Sequence, residues 1–519
     1  MAVNGRIVGA TTLVVAGVVA AAVVGQLPAF GVVDGSQVAT PSSASQSLVC
    51  PGPAIAVGAD PSDANALTAT GKPSRVTGTV DHKKVTTTVL GRGAVSGGAA
   101  PRALSATAAG SAGALAGAQV EQVTLGDAAG LVATSCTVPA SDLWFAAGAT
   151  STGRTTVLTL QNPSPVDAQV GVTVWTENGP VDSASFSELV VPAKGREAVS
   201  IAGVAPSAGG TVVRVTSTGG RVSGALEQRT VRGLESGGVD MTGPTAAPAR
   251  EQVVPGVRVA DSAAIAQAAR ANGYADLQTV VRVLVPGSEA TDVSITATPD
   301  GGGQPVTLGR RVAGGVVTDF PVNGLADGTY TVKVSGKLPL VTGVRTSVIG
   351  DVSGSTTPGD TSSAGTATSS GTGSAAVGSD AGLVGGDGPV DTSSSASGSS
   401  GATADPSATS TARGIDLAWF AAAPQLTGTA AVAVVSAPSP MLSIANPGPA
   451  RTVRLTGALT RSVRVPAKGA VSLPVPKGVV VLHGVAGLRA GVSYAGADAI
   501  AGYPVAASDQ EARAIRISR

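Results

Sequence analysis

The fold is decided by a stretch that opens with Leu143-Trp144-Phe145-Ala146-Ala147, passes through Leu160-Gln161-Asn162-Pro163 and closes on Val191-Pro192-Ala193-Lys194-Gly195. Three matching landmarks recur in the same order as Ala418-Trp419-Phe420-Ala421-Ala422, Ile444-Ala445-Asn446-Pro447 and Val465-Pro466-Ala467-Lys468-Gly469. An internal repeat of this kind indicates that one structural unit is used more than once. The sequence therefore predicts a modular chain, with copies that begin at Asp142 and Asp416.

The first copy has the pattern of short strands. Val170, Val172 and Val174 alternate with Gly171 and Thr173, which is the period of a half-buried strand. Turn signals follow at 177–180, 192–195 and 219–220, so that strand and turn alternate at short intervals. The sequence predicts an all-β fold of tandem immunoglobulin-like β-sandwich modules.

The same alternation of short strands and turns, together with changes in composition, divides the rest of the chain into segments. The predicted segments are an N-terminal hydrophobic helix (1–30), a stalk (31–46), module 1 (47–140), module 2 (141–250), module 3 (251–350), a linker (351–413) and module 4 (414–510). Module 3 carries a short helical insert, which Asp261 is expected to cap and Gly273 to end. The linker has no aromatic residue and no Lys, and is rich in Ser, Thr, Gly and Ala. We expect it to be disordered, with O-glycosylation as a further hypothesis.

The N-terminal sequence has the pattern of a targeting signal. Arg6 precedes the uncharged run Ile7–Val24. Two interpretations remain open, a cleaved signal peptide and an uncleaved signal anchor. In both cases the positive charge before the run places the rest of the chain outside the cytoplasm. The expected location is extracytoplasmic, either secreted or anchored to the cytoplasmic membrane through this helix.

Two cysteines, Cys50 and Cys136, frame module 1. In an exported chain the economical interpretation is one disulfide between them. Two free thiols are the alternative. A metal pair is disfavoured because neither cysteine has a second ligand at metal spacing.

The balance of charges and the absence of catalytic motifs argue against nucleic-acid binding and against catalysis. Lys and Arg number 34 against 33 Asp and Glu, which argues against a nucleic-acid partner because that needs a clustered basic face. The two histidines, His82 and His483, lie in different modules. We find no catalytic constellation, no cofactor motif and no metal-ligand spacing. The sequence thus predicts a protein that is not an enzyme.

The repeat landmarks have structural and functional interpretations. Trp144 and Trp419 either fill small cores, which we favour, or form a platform for stacking glycans. Trp175 has no counterpart in the second copy and is the better candidate for an exposed contact. Lys194 and Lys468 occupy matched turns, either as solvated tips or as contacts for acidic glycans. The remaining landmarks, Asn162 and Asn446, are expected to close turns with their side chains.

The opening Leu48-Val49-Cys50-Pro51-Gly52, the junction from Cys136 to Trp144-Phe145, the two Asn-Pro turns and the apolar N-terminus resemble an actinobacterial family of large secreted or membrane-anchored proteins with a domain of unknown function. The resemblance covers most of the chain except the linker. It implies export and the cysteine pair, and it supplies no activity.

Together these features predict an exported cell-envelope protein with a structural or binding role. Its β-sandwich modules would contact envelope proteins or cell-wall glycan through sheet edges and loops. The alternative is an envelope enzyme, or an accessory subunit of one, that acts on cell-wall polysaccharide. A deep pocket with converging carboxylates would favour that alternative.

Overall fold

A computed structural model describes residues 37–39, 46–58, 66–69, 71–80, 83–106, 115–125, 128–181, 188–350, 414–506 and 515–517. These residues form nine β-sheets and one short α-helix. The prediction of an all-β fold is confirmed. The N-terminal helix predicted at 1–30 and the disorder and glycosylation predicted at 351–413 lie outside the described residues.

Module 1 is built from three small sheets. Its strands, with one strand before them, are β1 (Gln37–Ala39), β2 (Gln46–Cys50), β3 (Ile55–Val57), β4 (Leu67–Ala69), β5 (Ser74–Thr79), β6 (Thr86–Val89), β7 (Ser96–Gly97), β8 (Arg102–Ala106), β9 (Leu115–Leu125) and β10 (Ala128–Ser135). The sheet orders are β2-β8-β6, β10-β9-β5 and β3-β4-β7. All pairs are antiparallel except β4 with β7.

Module 2 consists of two sheets that face each other. Its strands are β11 (Asp142–Phe145), β12 (Arg154–Gln161), β13 (Ala168–Thr176), β14 (Gly179–Val181), β15 (Leu189–Val191), β16 (Arg196–Ser200), β17 (Val212–Gly219), β18 (Ser223–Arg232) and β19 (Glu235–Thr242). One sheet has the order β11-β17-β13, with β14 and β15 both paired to β13, and the other has the order β16-β12-β18-β19. Phe145, Leu158, Leu160 and Val213 are buried between them.

Module 3 is organised by one very long strand. Its elements are β20 (Ala249–Val259), α1 (Ser262–Ala268), β21 (Val280–Leu284), β22 (Thr291–Pro299), β23 (Val306–Val312), β24 (Thr318–Pro321) and β25 (Gly328–Ile349). The first half of β25 pairs with β20 and β22, and its second half pairs with β21. A single strand therefore joins both layers of this module.

The helix predicted in module 3 is present as α1, but it ends at Ala268, before Gly273, and its capping differs from the prediction. Beyond Ala268 the N–H groups of Arg270 and Ala271 donate to carbonyls three residues back, as in tighter turns. Asp261 has a left-handed backbone (φ 53°) and its side chain makes no capping hydrogen bond. The N–H of Ser262 donates instead to the carboxylate of Asp327, at 2.8 Å. The local sequence identified the start of the helix, but a residue distant in sequence supplies the cap.

Module 4 has two four-stranded sheets, and its first strand pairs outside them. Its strands are β26 (Ile415–Ala421), β27 (Thr429–Val434), β28 (Met441–Asn446), β29 (Arg451–Gly457), β30 (Arg461–Val465), β31 (Gly469–Pro474), β32 (Gly478–His483), β33 (Arg489–Ala495) and β34 (Ile500–Pro504), followed by β35 (Ile515–Ile517), which pairs with β1. The sheet orders are β27-β32-β29-β30 and β31-β28-β33-β34. The sheet β10-β9-β5 of module 1 packs on the core of module 4.

The strand β26 belongs to the sheet of module 3. It pairs antiparallel with the end of β25, from Gly343 opposite Ala421 to Ile349 opposite Ile415. The N–H of Gly350 then donates to the carbonyl of Gly414 at 2.7 Å. The two ends of the segment 351–413 are thus fixed side by side.

This pairing leads to a prediction about the segment 351–413. We expect that replacing it with a two-residue Asn-Gly turn will preserve the fold, because that turn suits adjacent antiparallel strands. A shorter connection also loses less entropy when its two ends are brought together on folding. The free energy of unfolding should therefore rise by about 3 kcal/mol. Urea unfolding followed by circular dichroism measures this. A chain that loses the module 4 transition after the replacement would contradict the prediction.

The structure also bears on membrane-spanning helices. Across the described residues, no helix is both long and apolar enough to cross a bilayer.

Candidate functional site

Cys50 and Cys136 form a disulfide, as predicted. Cys50 ends β2, and Cys136 directly follows β10. Both are buried together with Leu48, Leu104 and Leu115. The bond therefore links two of the three small sheets in a module that has little core of its own.

The two repeated tryptophans are buried, at 4% exposure for Trp144 and 1% for Trp419. They do not serve equivalent cores. Trp144 packs against Leu284 and Val341 of module 3. Trp419, although it comes from the predicted module 4, belongs to the core of module 2. Both tryptophans thus join modules.

Trp175 is not an exposed contact, so that expectation is wrong. It is 8% exposed and stacks on Trp144 with the ring centroids 5.4 Å apart. Arg214 covers the Trp144 ring at 5.1 Å. Because protein side chains cover the ring faces of Trp144 and Trp175, this pair cannot stack on the rings of a glycan.

Asn162 and Asn446 close equivalent turns. Each side-chain oxygen accepts an N–H two residues later, from Ser164 and Gly448, both at 3.0 Å. Each amide donates to two carbonyls, one within its own turn and one in the strand end or turn opposite, at Val191 for Asn162 and Pro466 for Asn446. The predicted turn-closing role is confirmed.

Lys194 and Lys468 occupy matched exposed turns with left-handed backbones, at φ 55° and 50°. The carbonyl of Lys194 accepts the N–H of Gly91 at 2.7 Å, which places this turn against module 1. Their role toward acidic glycans stays a prediction. His483 lies on β32 with its ring nitrogen 3.0 Å from the hydroxyl of Thr456, and His82 lies outside the described residues.

Two concave sites in the described part of the chain bear on the enzymatic alternative. A small cavity of about 30 Å³ lies between modules 1 and 4 and is lined mainly by apolar side chains such as Leu48 and Leu115. An open groove of about 540 Å³ is lined by Thr77, Gly78, Thr79, Lys83, Val85, Ala458 and Val479. The lining of the groove contains no carboxylate. No group of three or more metal-binding side chains is found in the same part of the chain.

Several buried ionisable side chains surround β26. Asp416 is fully buried and accepts four backbone N–H groups, from Leu131, Val239, Leu417 and Ile500, at 2.9 to 3.3 Å. These groups belong to β10, β19, β26 and β34, which come from modules 1, 2 and 4. One carboxylate thus ties three modules together, and we call this arrangement the Asp416 junction.

Two glycines make the Asp416 junction possible. A Cβ on Gly130 would lie 2.2 Å from a carboxylate oxygen of Asp416. A Cβ on Gly238 would lie 2.6 Å from the nitrogen of Leu417, and its φ of 104° is also unfavourable for other residues. The strands approach closely enough for one side chain to reach all of them.

Trp419 is held by polar groups of modules 2 and 3. Its backbone N–H donates to Asp240 and its indole N–H to Gln228, both at 2.8 Å. Arg282 and Arg345 of module 3 approach its ring at 4.4 and 5.7 Å. The indole therefore combines a buried hydrogen bond with cation–π contacts.

Arg282 extends this network. It is fully buried and makes a bidentate pair with Asp319, with both N–O distances 2.8 Å. It also donates to the carbonyls of Gly148 and Thr211 in module 2. This guanidinium accordingly links modules 2, 3 and 4 at one point.

Burial raises the pKa values of three carboxyl groups at the module junctions. It raises the pKa of Asp416 to about 8, although the four N–H donors oppose the rise because they favour the charged form. It raises the pKa of Asp240 well above its usual value. It also raises the pKa of Glu227 to about 8, against a hydrogen bond from the N–H of Ile55. Structural junctions as well as active sites produce such shifts.

Glu227 gives a prediction on pH. In the unfolded chain its pKa is near 4.5, so between there and about 8 the folded protein holds a proton that the unfolded chain releases. Stability from this group is complete at low pH and is lost as pH rises through that window. Relative to the wild type, Glu227→Gln should therefore gain about 4 kcal/mol in free energy of unfolding between pH 5 and pH 9. Urea unfolding at both pH values tests this.

A control variant accompanies that measurement. Glu188→Gln changes an exposed carboxylate in the same module. An equal change in the two variants between pH 5 and pH 9 would contradict the assignment to burial of Glu227.

Sequence reasoning missed the Asp416 junction and the arginines over Trp419. The repeat aligns Asp416 with Asp142, but Asp142 is 47% exposed and pairs with Arg214 on the surface. The available signal was Ala418, one extra residue between the aspartate and the tryptophan of the second copy. In a strand one extra residue moves the following side chains to the other face.

Comparisons with known proteins give a family and no activity. The model of a family of unknown function, DUF5719, matches residues 93–384. No curated protein matches the chain. A crystal structure of Thermotoga maritima 1070 is similar over 19% of this chain and 78% of that chain, with 15% identity and a TM-score of 0.16, which is too low to bear on the fold.

The family match partly agrees with the resemblance noted in the sequence. A family with a domain of unknown function is confirmed, whereas its actinobacterial origin and export stay predictions. The matched range begins inside module 1, ends inside the segment 351–413 and leaves out module 4. Because residues 93–384 are more than half of the 519 residues, the protein belongs to the DUF5719 family of unknown function.

Proposed function

We propose that this protein is an exported, non-enzymatic scaffold of the cell envelope, whose β-sandwich modules act as one rigid binding unit. The observation that carries the proposal is where the buried ionisable side chains make their contacts. Asp416 and Asp240 accept backbone N–H groups from other modules. Arg282 donates to carbonyls of module 2, and Arg345 lies with it over the ring of Trp419. They hold modules together and do not converge on a cavity.

A rigid unit suits a protein that presents surfaces to partners. Docked modules keep their edges and turns at fixed spacing, so a partner that contacts two modules loses less entropy on binding. The exposed turns at Lys194 and Lys468 are such surfaces. Envelope proteins and cell-wall glycan are the partners that we propose, and immunoglobulin-like sandwiches are the module type.

The groove of about 540 Å³ bears on the enzymatic alternative. Polysaccharide hydrolysis generally needs two carboxyl groups on either side of the bond that is cleaved. The lining of the groove offers hydroxyl groups and Lys83. This composition supports binding over hydrolysis.

The location of the protein is tested by its intact mass after purification from the native envelope. Loss of roughly the first 22 residues would support a secreted protein with a cleaved signal peptide, and the full mass in the membrane fraction would support a signal anchor. Extra hexose masses would support a glycosylated linker. Recovery of the full-length protein from the cytosol would contradict the proposal.

A further inference from the structure

The strand β6 differs from several other strands at sheet edges. β23 carries Arg310 and Arg311, and β30 carries Arg461 and Arg464, all exposed. The edge strands β14, β24 and β31 each contain a proline. Charges and prolines of this kind prevent an edge from pairing with another chain. β6 reads Thr86-Thr87-Thr88-Val89 and has neither.

The side chains of β6 are all exposed, and Val89 reaches 58% exposure. Within the described residues β6 pairs with β8 alone. Leu90, the next residue, donates its N–H to the carbonyl of Pro101 opposite it, at 3.0 Å. Because bonding alternates along an antiparallel pair, the N–H groups of Thr87 and Val89 point away from β8. These N–H groups lie on the side of β6 where a further strand could pair.

The two ends of this open edge are positively charged. Lys83 and Lys84 are exposed immediately before β6. Arg92 is exposed just after it, and the neighbouring Gly91 is bonded to the exposed turn of Lys194. If a segment from another protein paired with this edge, its two ends would lie next to these positively charged side chains.

We infer that β6 is a docking edge for an extended segment of a partner protein, rich in β-branched residues and flanked by Asp or Glu. The inference rests on the proposed function and names one surface and one partner chemistry for it. The segment adds as a fourth strand to β2-β8-β6, with its backbone bonded to Thr87 and Val89. Its acidic flanks pair with the lysines at one end and with Arg92 and Lys194 at the other.

The test uses two fluorescent nine-residue peptides on the full chain. One is Glu-Glu-Val-Thr-Val-Thr-Val-Glu-Glu, and the other has lysine in place of each glutamate. By fluorescence polarisation we expect the acidic peptide to bind and the basic peptide to bind at least about tenfold more weakly. Equal binding of the two peptides, or no binding of the acidic one, would overturn the inference.

Variants of β6 separate backbone pairing from charge. Thr87→Pro removes an N–H group that points away from β8 and leaves the hydrogen bonds to β8 in place. It should therefore lower the affinity for the acidic peptide about tenfold. Thr87→Val keeps the N–H and should bind as the wild type does. The double variant Lys83→Glu, Lys84→Glu should reduce the preference for the acidic peptide, because Arg92 and Lys194 remain at the other end. This second variant keeps the test valid even if Thr87→Pro disturbs folding. Unchanged binding by both altered proteins would overturn the inference.

A separate readout distinguishes this inference from the proposed function. Photo-cross-linking in the native envelope identifies the residues that contact partners. Cross-links to envelope partners through surfaces other than β6 would overturn the docking edge and leave the scaffold proposal standing.

Discussion

Asp416→Asn is expected to lower the free energy of unfolding by on the order of 4 kcal/mol, which is a large share of the stability of most domains. The carboxyl group accepts two N–H groups at each oxygen, from Val239 and Leu417 at one and from Leu131 and Ile500 at the other. An asparagine amide has one acceptor. Whichever way it is turned, its NH2 group faces two buried N–H donors, which then lack a partner.

The repeat supplies a control for this variant. Asp142→Asn makes the same chemical change at the equivalent position of the first copy, where the side chain is half exposed and pairs with Arg214. An exposed pair contributes little, so this variant should cost less than about 1 kcal/mol. Urea unfolding of both variants at pH 9, where the pKa of about 8 leaves Asp416 ionised, measures the difference. Equal losses would show that Asp416 does not hold the junction.

Limited proteolysis gives a second readout for Asp416→Asn. The four N–H donors lie on strands of modules 1, 2 and 4, so losing their acceptor should loosen the contacts between these modules before each module unfolds. We expect early cleavage between the modules in the variant and none in the wild type. Protection that matches the wild type, together with a lower unfolding free energy, would place the loss inside one module.

Local features could be predicted from the sequence because their partners are close in the chain. Asn162 and Asn446 bond within their own turns, and the repeat pointed to both. The disulfide followed from there being two cysteines in the chain. The helix α1 followed from an alanine-rich run, although its cap, Asp327, is far from it in sequence. Short-range chemistry is therefore readable, and distant partners are not.

The position of β26 could not be predicted, for two physical reasons. The strand follows a long segment of low complexity, which suggested a separate module on a tether. Its pairing with β25 depends on backbone hydrogen bonds, which leave no mark in the side-chain pattern. The extra residue Ala418 then reverses the faces, so that Trp419 enters module 2 while Phe420 enters module 3.

The partners of Asp416 illustrate the same limit. Leu131, Val239 and Ile500 offer backbone N–H groups, which every residue except proline has. The sequence therefore carries no side-chain signal for this junction. What it does carry is glycine at 130 and 238, where the close approach excludes a Cβ.

The other large effect is expected at Arg282. Arg282→Met removes the guanidinium but keeps an unbranched chain of similar length over Trp419. Asp319 then loses its bidentate partner, and the carbonyls of Gly148 and Thr211 lose their donor. Breaking one side of a buried pair costs 3–5 kcal/mol in general. Because Asp319 is 32% exposed, we expect the lower end, about 3 kcal/mol.

Arg214→Met is the matched control, since Arg214 makes the same contacts at the surface. It pairs bidentately with Asp142, at 3.0 Å for both bonds, and covers the ring of Trp144. Its side chain is 40% exposed, so water replaces much of what is lost and the cost should stay below about 1 kcal/mol. If the two methionine variants unfold at the same urea concentration, burial between the modules is not what makes Arg282 important. If only Arg282→Met is destabilised, the same three side-chain types act as a surface pair in the first copy and as an inter-module lock around the second.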